Sequence, residues 1–358
     1  MYYITYKQRH NKATKKISSI NELEQLISNF VDTKGTKAPS QNKTIKKPTT
    51  ELTEELTKKL ARLTVMIKRN IHKYGDKADH FSVFQIPKSS GGYRTITAPS
   101  EELKHEYTVI KNYLIDELKI LTHNNAWAYT EKRSTLDAVK QHQDNNSNYF
   151  LKIDIEKFFD NCTPQLIIKQ LSKIHPLHHA KNLIDYMAEF ATFNNQLPQG
   201  TPLSPLLTNI LMIPFDHAFS GYCDVNNLIY TRYADDIIIS SKNSFSFKNI
   251  LNVINKLLKE NGYEFKIKNE KTRYGSKNGR NWNLGLMLNK DNQITLGHRY
   301  KKSLKVILNQ LNYEALPYQD PHLMGLFAYL KQIEPNYFTH LDSYCLRKYD
   351  KSIKELVG

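Results

Sequence analysis

Residues 228–241 read Leu-Ile-Tyr-Thr-Arg-Tyr-Ala-Asp-Asp-Ile-Ile-Ile-Ser-Ser, two apolar half-strands joined by a turn that carries adjacent carboxylates. No other segment limits the possible folds as sharply. The β-branched runs belong in a sheet interior. Tyr233-Ala234-Asp235-Asp236 then becomes a tight hairpin turn at the sheet's end. Two carboxylates so flanked are costly unless something offsets their charge, and a divalent cation is the natural compensation. An ordinary Asp-rich surface turn would need no such flanks.

A second segment supplies a further acid. Leu151-Lys152-Ile153-Asp154-Ile155 places Asp154 at the end of another apolar run. Magnesium wants oxygen ligands, few of them from protein and the rest from phosphate and water. Carboxylates converging from two strands can hold two such ions about 4 Å apart, an arrangement that activates an attacking oxygen and stabilises a leaving pyrophosphate. Asp154 and Asp235 fit that role, and Asp236 adds charge that orients the ions.

The bulk composition agrees. Lys plus Arg number 51 against 35 Asp plus Glu, a formal charge of +16, which favours a polyanionic partner such as nucleic acid. Apolar residues make up 40 %, a globular proportion. The three cysteines, Cys162, Cys223 and Cys345, form no C-x-x-C pair, so neither a disulfide framework nor a cysteine zinc site is indicated and a reducing cytoplasm is expected. The N-terminus lacks the apolar core of a signal peptide, and no apolar run is long enough to cross a membrane. His175-Pro176-Leu177-His178-His179 lacks cysteine partners and reads as structural or exposed histidines rather than as a zinc site.

Along the chain, residues 1–75 read as an N-terminal extension: a small folded lead-in with a helix near Ser19–Ile27, a tether over 33–50 with five lysines, two prolines and no acid, then a helix over Glu51–Tyr74. Strands are expected at 81–87 and 93–97 around a Ser89–Gly92 turn, and at 149–155, 228–233, 237–240, 263–268 and 282–288. Helices are expected at 101–121, 164–193, 204–219, 247–261 and through the last 60 residues. The pattern indicates an α+β fold.

Several motifs, in order, resemble those of bacterial reverse transcriptases. Asp154-Ile155-Glu156-Lys157-Phe158-Phe159 resembles their first catalytic motif. Leu197-Pro198-Gln199-Gly200-Thr201-Pro202-Leu203-Ser204-Pro205 resembles the one that follows, and Tyr233-Ala234-Asp235-Asp236 the metal motif. Ile86-Pro87-Lys88, Gly91-Gly92 and Arg94 look like the fingers hairpin, Asn269-Glu270-Lys271-Thr272 like the later lysine motif, and Asn283-Leu284-Gly285-Leu286 like the primer-grip turn. The match covers roughly residues 81–300 and looks nearest to retron and defence-associated enzymes. One departure is Asp137-Ala138-Val139-Lys140-Gln141-His142, where retron enzymes carry Asn-Ala-x-x-His; another is Asn283-Leu284-Gly285, where they carry Val-Thr-Gly.

The resemblance implies a right-hand polymerase with an antiparallel palm sheet, fingers and palm over 76–295 and a helical thumb over 296–358. It implies an RNA-directed DNA polymerase that uses two Mg2+ ions, for which Mn2+ can substitute. Asp154, Asp235 and Asp236 would be catalytic and, with Ile155, form the metal set. Lys88, Arg94, Phe159, Gln199 and Lys271 would meet the incoming nucleotide, Phe159 against its sugar while Phe158 turns into the core. Arg299, Lys301, Lys302 and Lys305 would grip the nucleic-acid backbone from a thumb helix. The implied partners are an RNA template, in this group a structured non-coding RNA, a DNA product, deoxynucleotides and an effector or accessory protein. Anti-phage defence is the implied setting. Two other readings stay open: an RNA-dependent RNA polymerase on the same palm, and a catalytically silent RNA-binding protein on a polymerase scaffold.

Overall fold

A computed structural model describes residues 2–8, 11–17, 53–88, 91–277, 284–313 and 320–357. Two compact units divide between Glu51 and Leu52. In the first, strands β1 (Tyr2–Gln8) and β2 (Asn11–Ile17) pair antiparallel, with Tyr2 opposite Ile17. The helix expected near Ser19–Ile27 and the lysine-rich tether lie outside the described residues.

The second unit opens with helix α1 (Glu54–Lys73), which starts three residues later than expected because the Thr53 side chain caps it by accepting from the Leu56 N–H at 3.2 Å. Leu60, Leu63 and Ile67 line one face and are buried in the core of this unit. That face places the helix in the second compact unit, since an amphipathic helix cannot leave its apolar stripe in water. Strands β3 (Phe81–Pro87) and β4 (Tyr93–Pro99) form the fingers hairpin, Ile86 opposite Arg94. Helix α2 (Glu101–Asn112) runs into a single wider turn over Tyr113–Glu117 and stops there, short of residue 121. Helix α3 (Thr135–Asp144) begins with a reciprocal cap between Ser134 and Asp137.

Strand β5 (Tyr149–Asp154) leads to helices α4 (Pro164–Leu171), α5 (Lys181–Ala191), α6 (Leu203–Leu211) and α7 (Ile213–Val225). One helix was expected where α6 and α7 stand. Pro214, in the first turn of α7, has no N–H to continue the ladder of α6. The hairpin β6 (Ile229–Tyr233) and β7 (Asp236–Ser241) follows, then α8 (Phe247–Asn261), closed by Gly262 at φ 83°. Strand β8 (Arg273–Ser276) completes an antiparallel sheet ordered β6-β7-β5-β8. The strand expected at 263–268 is instead extended chain with one bridge, Ile155 to Ile267. Of that expected at 282–288, the described part, 284–288, holds only β9 (Met287–Leu288), paired with β10 (Ile294–Thr295). Helices α9 (His298–Tyr313), α10 (Pro321–Ile333), α11 (Pro335–Tyr349) and α12 (Ile353–Val357) form the thumb.

The sheet is buried on both faces. Leu151, Ile153, Ile237 and Ile239 enter the core shared with α1, α2 and α4–α8. Phe150 and Ile238 point the other way, into a core with Leu304, Leu308, Phe327, Leu330 and Leu341 of the thumb. With a period of two, Asp154 and Asp236 extend the Phe150 and Ile238 stripe past its apolar part. The acids therefore emerge on the thumb side of the sheet.

Candidate active site

The register of β6 on β7 pairs Tyr233 with Asp236 and leaves Ala234 and Asp235 as a two-residue turn. Ala234 sits in the left-handed region at φ 56°. What holds it there is Arg232, a fully buried side chain. Its Nη1 donates to the Ala234 carbonyl and to Asn209 Oδ1, each at 3.2 Å. Its Nε and Nη2 donate to the two oxygens of Asp216 at 2.8 and 2.5 Å, and the Tyr230 hydroxyl donates to Asp216 at 2.6 Å. The ion pair is thus fully satisfied and clamps the acidic turn to α6 and α7. On the opposite side, buried His142 bonds Ser240 Oγ at 2.6 Å and Thr231 Oγ1 at 2.9 Å, joining β6 to β7 from α3. Burial pushes the His142 imidazole down to about 3, so it is neutral.

The register places Asp154 directly opposite Asp236, and the Ile155 N–H donates to the Asp235 carbonyl at 3.0 Å. Three carboxylates therefore converge from two strands and one turn. Two ammonium groups answer them: Lys271 Nζ lies 2.8 Å from Asp154, and Lys152 Nζ lies 3.0 Å from Asp236. The other oxygen of Asp236, Oδ1, is buried and has no hydrogen-bond partner. Burial first, then the charges of Asp236 and Asp154, push Asp235 up to about 6, against the pull of Lys271. An orphaned carboxylate oxygen beside a carboxyl that resists ionisation is a donor set for a hard cation. Asp154, Asp235 and Asp236 fit that ion. The Ile155 side chain is buried and apolar, so only its backbone could join them.

The other expected residues take their places around this centre. Phe158 is buried against Phe265, ring centroids 5.3 Å apart, whereas Phe159 stays half-buried. Gln199 Nε2 is 3.5 Å from Asp160 Oδ1, and the Gln199 carbonyl accepts from the Thr97 N–H at 2.8 Å. Next to it Gly200 has φ 137°, and a Cβ there would stand 2.7 Å from the Thr97 carbonyl oxygen. The loop before α6 is therefore seated on the fingers strand β4, which also carries Arg94. Arg94 and Lys88 are both exposed on the fingers hairpin. Lys271 is presented to Asp154 by the short turn Asn269–Lys271, which also raises the lysine's pKa through that hydrogen bond. Of the primer-grip turn, Leu284 and Gly285 are at φ 54° and 87°, while Asn283 lies outside the described residues.

Three residues escaped the sequence reading. Lys152 alternates onto the same face as Asp154, a placement readable from strand period alone. Arg232 stands in a strand otherwise expected to be buried, which demands a carboxylate, although nothing in the sequence marks Asp216 as the one. Tyr129 stacks edge-on against Phe159 at 6.4 Å, and its hydroxyl pKa is raised by burial and then by Asp235 and Tyr233, against Arg94. It therefore lies between the acids and the fingers.

On the thumb helix α9, Arg299, Lys302 and Lys305 are exposed. Lys305 lies over the Tyr344 ring at 5.3 Å. Lys301 is committed within the thumb: it pairs with Glu334 at 2.5 Å and lies over the Tyr337 ring at 4.5 Å.

Comparison with known proteins matches residues 86–314 to the family described as reverse transcriptase (RNA-dependent DNA polymerase). The retron Ec83 reverse transcriptase of Escherichia coli is 31 % identical over 78 % of this chain and 91 % of its own length. The retron Ec73 reverse transcriptase of the same organism is 30 % identical over 76 % and 87 %. A retron enzyme of Myxococcus xanthus, Mx65, is 25 % identical over 74 % of this chain. Among solved structures, telomerase from Candida albicans aligns at 13 % identity with a TM-score of 0.46, over 93 % of this chain and 69 % of its own. The acids on an antiparallel palm sheet, the fingers hairpin seated on the loop before α6 and this kinship agree, and the chain belongs to the reverse transcriptase family, as an RNA-directed DNA polymerase of bacterial retron type.

Proposed function

We propose that the chain extends a primer 3′-hydroxyl with deoxynucleotides along an RNA template, with two divalent ions held by Asp154, Asp235 and Asp236. The observation that carries this reading is the unsatisfied carboxylate cluster, in which Asp236 Oδ1 is orphaned and Asp235 is raised to about 6. When bound, Mg2+ or Mn2+ lowers the pKa of the attacking hydroxyl and offsets charge on the leaving pyrophosphate. Lys271, already against Asp154, stands where its ammonium can meet the triphosphate. Arg94 and Lys88 supply fixed positive charge from the fingers. Phe159 meets the sugar and Gln199 the nucleotide. Arg299, Lys302 and Lys305 hold the duplex backbone, while Lys301 fixes the helix that presents them.

Kinship with retron enzymes supports a structured non-coding RNA as template, an accessory protein as partner and anti-phage defence in the bacterial cytoplasm as the setting. No helix among the described residues is long and apolar enough to cross a membrane. A primer-extension assay on an RNA template tests the chemistry, with Asp235→Asn/Asp236→Asn as control. Product from deoxynucleotides in wild type and none in the variant is expected; equal rates would refute this site. Preference for ribonucleotides would favour the RNA-polymerase reading, which Phe159 opposes because a phenyl ring offers the 2′-hydroxyl no acceptor. Sequencing the nucleic acid that co-purifies with the protein identifies the template.

A further inference from the structure

The connection between α4 and α5 lies on the fingers and belongs to none of the machinery above. Its backbone is fixed from beneath. Ile174 and Leu177 are buried, the His178 N–H donates to the Ile174 carbonyl at 2.9 Å, and the Ala180 N–H donates to the Leu177 carbonyl at 2.8 Å. On this turn the side chains of His175, His178 and His179 converge. Their ligand atoms all lie within 4.8 Å of one another. Ring centroids are 5.6 Å apart for His175 and His178, 5.9 Å for His175 and His179, and 3.8 Å for His178 and His179. Structural or exposed histidines were expected here, because the segment lacks cysteine partners. All three are exposed, and their imidazoles share one small volume at the surface.

We propose that His175, His178 and His179 form a second metal site, selective for a borderline divalent ion such as Zn2+. Nitrogen donors suit zinc, nickel and copper, whereas the carboxylates of the palm suit magnesium, so the two sites sort ions by donor type. Ligand bonds of about 2 Å need only modest closure of three exposed rings, and three histidines leave a fourth position for water. The Nδ1 of His178 lies 3.4 Å from the Ile174 carbonyl, which favours the tautomer whose Nε2 is free to bind. A bound ion would staple the α4–α5 connection of the fingers.

The test uses the untagged full-length chain, stripped with EDTA and returned to a large excess of Mg2+ so that the carboxylates are occupied. Calorimetric titration with Zn2+ should show one ion bound per chain, and Co2+ in its place should give the visible absorption of a nitrogen-rich, near-tetrahedral site. Losing a ligand costs at least what losing its outer-shell partner does, so each single His→Ala change should weaken binding by about tenfold or more. The triple variant His175→Ala/His178→Ala/His179→Ala should abolish it while keeping Mg2+-dependent primer extension. Binding unchanged in the triple variant, or no Zn2+ binding by wild type at micromolar concentration, overturns the proposal.

Discussion

Replacing Asp235 by Asn should stabilise the metal-free protein while ending nucleotide addition. In the folded chain Asp235 is raised from its ordinary value of 3.8 to about 6 by burial and by the two neighbouring carboxylates. An acid raised on folding is penalised when ionised. The penalty is absent below pH 3.8, grows as pH rises through the interval to about 6, and is complete above that. That rise corresponds to roughly 3 kcal/mol at neutral pH, an upper value because the group is partly exposed. An amide escapes the repulsion but keeps the polar burial, so a gain of about 1–3 kcal/mol is expected, about 1–5 °C in melting temperature for a unit of this size. The assay is thermal or urea unfolding of wild type and variant in EDTA, from pH 4 to pH 8. The two curves should coincide near pH 4 and separate as pH rises. Adding Mg2+ should stabilise wild type and leave Asp235→Asn almost unmoved, because the ion's gain depends on the charge removed. A variant less stable than wild type at pH 8 in EDTA, or a pH-independent difference, would show that Asp235 serves the fold rather than a cation.

Four further outcomes are expected. Phe159→Ala should narrow the preference for deoxynucleotides by about 1–3 kcal/mol, roughly 5- to 150-fold in steady-state discrimination, whereas Phe158→Ala should mainly lower the urea midpoint. Arg232→Gln leaves Asp216 buried and unpaired, which should cost about 3–5 kcal/mol in unfolding free energy; Asp216→Asn added to it should recover part of the loss in a double-mutant cycle. Arg299→Gln/Lys302→Gln/Lys305→Gln should flatten the slope of log affinity for an RNA–DNA duplex against log salt by about 2–3, measured by fluorescence anisotropy, while Lys301→Gln should instead destabilise the thumb. Gly200→Ala forces a Cβ against the Thr97 carbonyl and a strained φ, so it should cost about 1–3 kcal/mol in stability and raise the KM for deoxynucleotides in primer extension.

Why some of this was legible in the sequence, and some not, follows from where each residue's partner comes from. Asp235 and Asp236 stand out because their cost is local: two adjacent acids between apolar runs are penalised wherever the rest of the chain goes. Phe158 is buried as expected, while Phe159 is only partly buried against the same core. The edge strand β8 was missed because Arg273-Tyr274-Gly275-Ser276 has no apolar alternation; its strand state comes from pairing with β5, with Lys152 opposite Arg273. Conversely, 263–268 alternates like a strand, yet Tyr263 and Phe265 satisfy that pattern by burial in the core, with one bridge to Ile155 just past β5. Lys301 looked like its neighbours on a basic helix face until Glu334, from the far end of α10, took its charge. Arg232 is the sharpest case. A strand arginine beside an acidic turn announces that a carboxylate must be near, but Asp216 is chosen only when α7 packs beneath the hairpin. That same choice sets the Ala234 carbonyl, and with it the turn that aims Asp235. The candidate metal ligands are therefore local in sequence, while their aim depends on a buried pair that only the tertiary fold assembles.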